Sequence, residues 1–248
     1  MVLRKIKTIK EIYKTYNNWF KVCLDSMKLS KGNYIAKLRN GFCFEVRAGE
    51  RDINILNEVF ISGSYNEALP LITEDSIIID VGAHIGSFSV IAGGLAKKGR
   101  VYAYEPFKDS FKLLTNNLAY NNISNVDSFP LAITDKSGTS KFYLKSIAGE
   151  YAGNSIYGEG ESIEVETISL TNVFIKNKIT YCDLLKIDCE GAEYNMIYNT
   201  PIDLFKDIHN IILEYHAGHG DPVKLKQYLE SLGYLVKENI KGVYLCTK

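Results

Sequence analysis

From Ser76 to its end the chain alternates short apolar runs with stretches of mixed polarity. Ile77 to Val81, Val101 to Tyr104, Leu184 to Asp188 and Ile208 to Tyr215 are rich in apolar residues, as strands buried on both faces are, and Val126 to Pro130 adds a further short strand. Ser87 to Ala96, Lys108 to Tyr120 and Pro222 to Leu232 read as helices, the last stopped by Gly233. Strands alternating with helices predict an α/β fold with a mostly parallel, doubly wound sheet. Two β-pairs complete the pattern. Tyr234 to Lys237 and Val243 to Thr247 form an antiparallel C-terminal hairpin. Lys141 to Leu144 and Ser162 to Ile168 frame an insertion over about 138–170, whose linker carries Gly149, Gly153, Gly158 and Gly160.

Upstream, Ile6, Ile9, Tyr13, Tyr16 and Phe20 recur at steps of three and four, one apolar stripe on a helix. The stripe is expected to pack on the protein, leaving solvated the seven basic and two acidic residues between Met1 and Lys28. A basic amphipathic helix also suits weak peripheral contact with an anionic membrane. Tyr34 to Arg47 alternates about Asn40-Gly41 and predicts a hairpin. Asp52 to Phe60 reads as a short helix, broken at Gly63. The expected division is a cap over 1–66 and a main domain over 67–248.

Composition narrows the options. A chain of 248 residues buries a full core, and its 29 basic residues balance 29 acidic ones. That neutrality counts against nucleic acid as partner. No apolar stretch has the length of a membrane span, and no secretory leader opens the chain, so a soluble, cytoplasmic protein is expected. Cys23, Cys43, Cys182, Cys189 and Cys246 are scattered and read as reduced; no metal is assigned.

In doubly wound sheets ligands sit beyond the carboxyl ends of the strands. Here those ends carry Asp80 and Gly82, Glu105, Leu131 and Ala132, Asp188 and Glu190, and Glu214 and His216. The turn Gly82-Ala83-His84, closed by Gly86, permits a close backbone approach to a ligand at a helix start. Glu105, followed by Pro106, is placed to accept two ribose hydroxyls. A dinucleotide fingerprint would need a glycine where His84 stands, so S-adenosylmethionine is favoured over NAD. Along the fifth strand, Glu214 and His216 share one face while Tyr215 points away.

Four segments, Asp80-Val-Gly-Ala-His-Ile-Gly86, Tyr104-Glu-Pro106, Lys186-Ile-Asp-Cys-Glu-Gly-Ala-Glu193 and Glu214-Tyr-His216, together resemble the FkbM family of S-adenosylmethionine-dependent methyltransferases. The likeness runs from about Asp52 to Tyr215. It includes Asn57-Glu-Val-Phe60, Tyr65 and Val165-Glu-Thr-Ile-Ser-Leu170. It implies the seven-stranded class I methyltransferase fold and transfer of a methyl group to a hydroxyl of a sugar, glycan or glycosylated natural product.

Such a transfer needs a base beside the acceptor oxygen. His216, neutral near pH 7, is the first choice, with Glu214 or Asp188 orienting it; Glu190 is the second. The linker from Ser146 to Ser162, with Tyr151, Asn154, Ser155 and Tyr157, is expected to be a mobile lid over the acceptor. Two rival readings are an RNA methyltransferase and a cofactor-binding protein without catalysis.

Overall fold

The computed structural model describes the backbone of residues 2–144, 146–147, 150–151, 155–216 and 218–248, and their side chains except at 2–8, 146–147 and 150–151. The chain opens with α1 (Val2–Thr15) and α2 (Trp19–Ser26), then strands β1 (Asn33–Lys37) and β2 (Cys43–Arg47), paired antiparallel with Ile35 opposite Glu45. Helix α3 (Asp52–Asn57) continues as one wider turn over Glu58–Ser62, ended by Gly63 at φ 73°.

The main sheet begins with β3 (Ile77–Val81), α4 (Ser87–Leu95), β4 (Arg100–Tyr104), α5 (Lys108–Tyr120) and β5 (Val126–Phe129). An insertion follows, with β6 (Ala132–Thr134), β7 (Gly138–Tyr143), β8 (Ser146–Ile147), β9 (Glu150–Tyr151) and β10 (Ser162–Ser169). Helix α6 (Leu170–Asn177) leads to β11 (Cys182–Ile187), α7 (Glu193–Asn199), β12 (Ile208–Glu214) and α8 (Pro222–Ser231), and the chain closes with β13 (Leu235–Ile240) and β14 (Val243–Thr247).

The seven-stranded sheet runs β13-β14-β12-β11-β3-β4-β5, parallel except for β14. This is the expected class I architecture with its C-terminal antiparallel hairpin. The strand order reverses between β3 and β11, which opens a crevice beyond their carboxyl ends. Ile78, Ile79, Leu184, Leu185 and Ile211 are fully buried at its centre, as their apolar runs require. No helix among the described residues is long and apolar enough to cross a membrane.

Two expectations need correction. The expected pair in the insertion, β7 with β10, is part of a three-stranded sheet, because β6 joins β10 in parallel while β7 pairs with it antiparallel, and β8 and β9 pair separately. The N-terminal stripe does not pack inward as one helix. Asn17 and Asn18 interrupt it, since their side chains bond the hairpin instead: Asn18 donates to the Ile35 carbonyl at 2.7 Å and accepts from the Lys37 amide at 2.8 Å. Ile12 and Tyr16 are buried, the Tyr16 hydroxyl donating to Asn57 at 2.9 Å, whereas Ile9, Tyr13 and Phe20 face solvent.

The hairpin is held on the main domain by an asparagine ladder. The Asn117 side chain accepts from the Glu45 amide and donates to the Glu45 and Ile85 carbonyls. One turn on, Asn121 accepts from the Cys43 amide and donates to its carbonyl. Four helical residues rise about 6 Å and two strand residues about 6.8 Å, so asparagines at i and i+4 match a strand edge and stand in for a neighbouring strand. Asn117→Leu keeps the volume but strands three polar partners, and should lower stability by about 3 kcal/mol in urea unfolding.

Candidate active site

A cleft of about 350 Å³ lies over the crevice at the ends of β3, β4, β11 and β12. One wall is the turn after β3. There the Gly82 and Ala83 amides both donate to the Tyr104 carbonyl at 3.0 Å. Gly82 holds φ 74°, and a Cβ on it would stand 1.8 Å from the Asp188 carbonyl oxygen, so only glycine lets β3 and β11 come this close. His84, at φ 50°, donates its amide to Glu105 at 2.9 Å, and its ring sits 3.5 Å from Asp52. Burial pulls the His84 imidazole down to about 4, so it is neutral, and its Nδ1 is buried with no hydrogen-bond partner among the described residues.

Glu105 ends β4 and is almost fully buried. Its two oxygens accept the Phe107 and His84 amides at 2.9 Å each, which leaves every oxygen a second lone pair. Burial raises this carboxyl to about 7 against the pull of those amides. Pro106, Leu131, Ala132 and Phe142 make the apolar flank beside it.

The opposite end is rich in carboxylates. Asp188 accepts the Tyr65 hydroxyl at 2.9 Å, and Glu190, Glu214, Glu58 and His216 face the same space. Asp188, Glu214 and His216 bring one ligand atom each within 4.8 Å of one another, a grouping able to hold a metal ion. Burial, then the charge of Asp188, lifts Glu214 to about 7.

His216 is held by Glu193 and Glu190, whereas Glu214 or Asp188 was the partner expected to orient it. Its Nδ1 lies 3.1 Å from fully buried Glu193 and its Nε2 3.3 Å from Glu190. Burial alone would lower its pKa. The hydrogen bond to Glu193 and the charges of Glu193, Glu190 and Asp188 outweigh burial and raise it to about 9, so the ring is an imidazolium at neutral pH. Glu193 also accepts the His216 and Gly191 amides, which fixes the whole corner.

Gly82, Ala83, His84, Glu105, Pro106, Leu131, Ala132, Asp188, Glu190, Glu214 and His216 all line the cleft as the strand-end rule places them. Asp80 and Gly86 do not. Asp80 is fully buried beneath the turn, bonded to Ser89 at 2.5 Å and paired with Lys186 at 3.0 Å. Gly86 starts α4 where a Cβ would press on Leu114 at 2.6 Å. In the linker expected to be a lid, Tyr151 and Asn154 fall outside the residues whose side chains are described. Ser155 is buried and donates to the Glu190 carbonyl at 2.6 Å.

Sequence reasoning gave no role to Arg47, Asp52, Lys186 or Glu193. Arg47 grips Asp52 with two nitrogens, at 2.9 and 2.7 Å, and Asp52 in turn faces His84. The signal available for Asp52 was an acidic residue opening a helix; for Lys186, a lysine inside an apolar strand.

The model of the methyltransferase FkbM domain matches residues 80–236, and the chain belongs to this family. Methyltransferase 1 of Beauveria bassiana is 27% identical over 203 residues, covering 73% of this chain and 80% of that protein. Hexuronic acid methyltransferase AglP of Haloferax volcanii is 28% identical over 145 residues, 58% of each chain. The 31-O-demethyl-FK506 methyltransferase FkbM of Streptomyces tacrolimicus is 23% identical over 244 residues, 86% of this chain and 90% of that one.

The pairing of His216 has a measurable sign. Its folded pKa of about 9 exceeds the ordinary 6.5, so its proton contributes stability in full below pH 6.5, and this is lost as pH rises through about 9. The His216 ring resonances should therefore titrate near pH 9, and Glu193→Gln should move the midpoint back toward 6.5. A midpoint at 6.5 in the unaltered protein would restore the neutral base.

Proposed function

We propose that the protein is an S-adenosylmethionine-dependent O-methyltransferase acting on a hydroxyl of a sugar, glycan or glycosylated natural product. The observation that carries this reading is the division of one cleft into two ends. A glycine turn with a ribose-competent carboxylate stands at one, and a cluster of carboxylates about the His216 ring at the other.

The residues fit the cofactor. Gly82 lets the turn close against the Asp188 carbonyl at the edge of the cleft, His84 Nδ1 is a buried polar atom without a partner among the described residues, and Glu105 retains acceptor capacity. Gly82 to His84 would hold the methionine end, Glu105 the ribose, and Pro106, Leu131 and Ala132 the base. When bound, S-adenosylmethionine supplies an electrophilic methyl group on a sulfonium.

The protein's part is to align the acceptor and take its proton. Glu214, with its pKa near 7, takes the hydroxyl proton in place of His216. Asp188, fixed by Tyr65, orients the hydroxyl. His216, locked between Glu190 and Glu193, is a fixed positive charge that favours the ionised form of Glu214. The network proposed here uses no metal. An acidic lining also repels a phosphodiester backbone, which argues against RNA as acceptor. The names of two relatives, a hexuronic acid methyltransferase and a 31-O-demethyl-FK506 methyltransferase, support a sugar or natural-product hydroxyl.

Incubated with methyl-labelled cofactor, the protein should label a glycan extract and leave bulk RNA unlabelled, equally with and without EDTA. Glu214→Gln should lower that turnover about a hundredfold with cofactor affinity retained. Labelled RNA, or activity lost to EDTA and restored by a divalent ion, would overturn the acceptor or the metal-free base respectively. Glu105→Ala should weaken S-adenosylhomocysteine binding by at least about tenfold in calorimetry, through loss of charge-assisted hydrogen bonds. In the unaltered protein that affinity should fall as pH drops below about 7, where Glu105 takes up a proton and one acceptor site is lost.

A further inference from the structure

The N-terminal layer leaves large apolar side chains in solvent on a strongly basic surface. Ile9, Tyr13, Phe20, Met27 and Leu29 are between 45% and 67% exposed. Ile9 and Tyr13 lie one turn apart on α1, Phe20 lies in the first turn of α2, and Met27 caps its end. Trp19 joins these groups, meeting Tyr13 edge-on at 5.6 Å and Phe20 at 5.8 Å. The Arg39 guanidinium lies over the Tyr13 ring at 5.2 Å. Lys10, Lys14, Lys21 and Lys31 of the same segment are exposed, with Lys21 lying over the Tyr34 ring at 4.9 Å.

Charge is divided along the chain. Residues 1–39 hold ten basic and two acidic residues, whereas the remainder holds nineteen basic and twenty-seven acidic, so a net +8 is set against a net −8. Of the two N-terminal acids, Asp25 is buried, bonded to the Tyr34 hydroxyl and the Gly49 amide, and Glu11 is paired with Lys14. The segment therefore keeps a large net positive charge.

We propose that this layer is a docking surface for an anionic lipid bilayer. Aromatic rings and aliphatic tips enter the interface while the lysines meet the headgroup charge, two contributions that reinforce each other on one face. A second copy of the chain would set one net-positive segment against another. A nucleic acid would use the lysines but leave Ile9, Met27 and Leu29 without a role. The exposure of Ile9, Tyr13 and Phe20 thus acquires a reason.

Vesicle co-sedimentation tests this. Full-length protein should sediment with vesicles of phosphatidylcholine and about a third phosphatidylglycerol at least about tenfold more strongly than with phosphatidylcholine alone, and high salt should reduce the difference. The triple change Lys10→Glu, Lys14→Glu, Lys31→Glu should abolish the preference for anionic vesicles. Phe20→Ser should weaken binding severalfold even at low salt. All these positions are exposed and outside the cleft, so calorimetric binding of S-adenosylhomocysteine should be unchanged in both variants. Failure of the unaltered protein to sediment, or equal sedimentation of the triple variant, would overturn the proposal. Retention on a short RNA without vesicle binding, or Phe20-dependent self-association, would reassign the surface to nucleic acid or to a second copy.

Discussion

One buried ammonium holds the site together. Lys186 sits on β11 opposite Asp80 on β3, only 3% exposed, and its Nζ reaches Asp80 at 3.0 Å and the Gly82 carbonyl at 2.8 Å. Taking a lysine out of water costs several kcal/mol, and only a full set of acceptors offsets it. Burial pulls its pKa down, but Asp80, Asp188 and Glu214 more than restore it, so the charge persists. Both strands end at this ion. The turn after β3 and the turn after β11 are pinned to each other where Gly82 faces the Asp188 carbonyl, and the two halves of the cleft keep their spacing because neither strand can slide.

The carboxylate cluster follows from the same constraint. Asp188, Glu190, Glu193 and Glu214 would repel one another if the pocket held no cations. Lys186 below and His216 within the cluster divide the work. Lys186 lowers the cost for Asp80 and Asp188, and His216 is shared between Glu190 and Glu193. Glu214 is left as the member whose burial and neighbours raise its pKa to about 7. A group in that range is suited to proton transfer, whereas an imidazole fixed between two carboxylates is suited to holding charge.

The fold was legible in the sequence because buried parallel strands are written as contiguous apolar runs, and each run ended in a residue of the site. Glu105, Asp188, Glu214 and His216 could be placed beside the cleft without coordinates for that reason. What could not be read is contact between segments far apart in the chain. Tyr65 reaches Asp188 across 123 residues and Asn117 reaches Glu45 across 72. A strand-end aspartate reads alike whether it faces up into a cleft or down onto a lysine, so Asp80 was placed on the wrong side of the turn. Likewise, the N-terminal stripe had helical spacing, but periodicity does not reveal that two asparagines prefer the hairpin backbone to their own helix.

The N-terminal layer is more than an attachment. Arg47 on β2 clamps Asp52 at the start of α3, and Asp52 faces the ring of His84 in the turn that contacts the proposed cofactor. Residues of α3 and the wider turn after it, among them Ile55, Glu58 and Val59, line the cleft directly. The same layer meets α5 through the asparagine ladder, and Asn117 also bonds the Ile85 carbonyl in the turn before α4. A displacement of the hairpin would therefore reach His84 by two independent routes. Through these contacts, whatever holds the outer face of the layer is mechanically connected to the turn that begins the site.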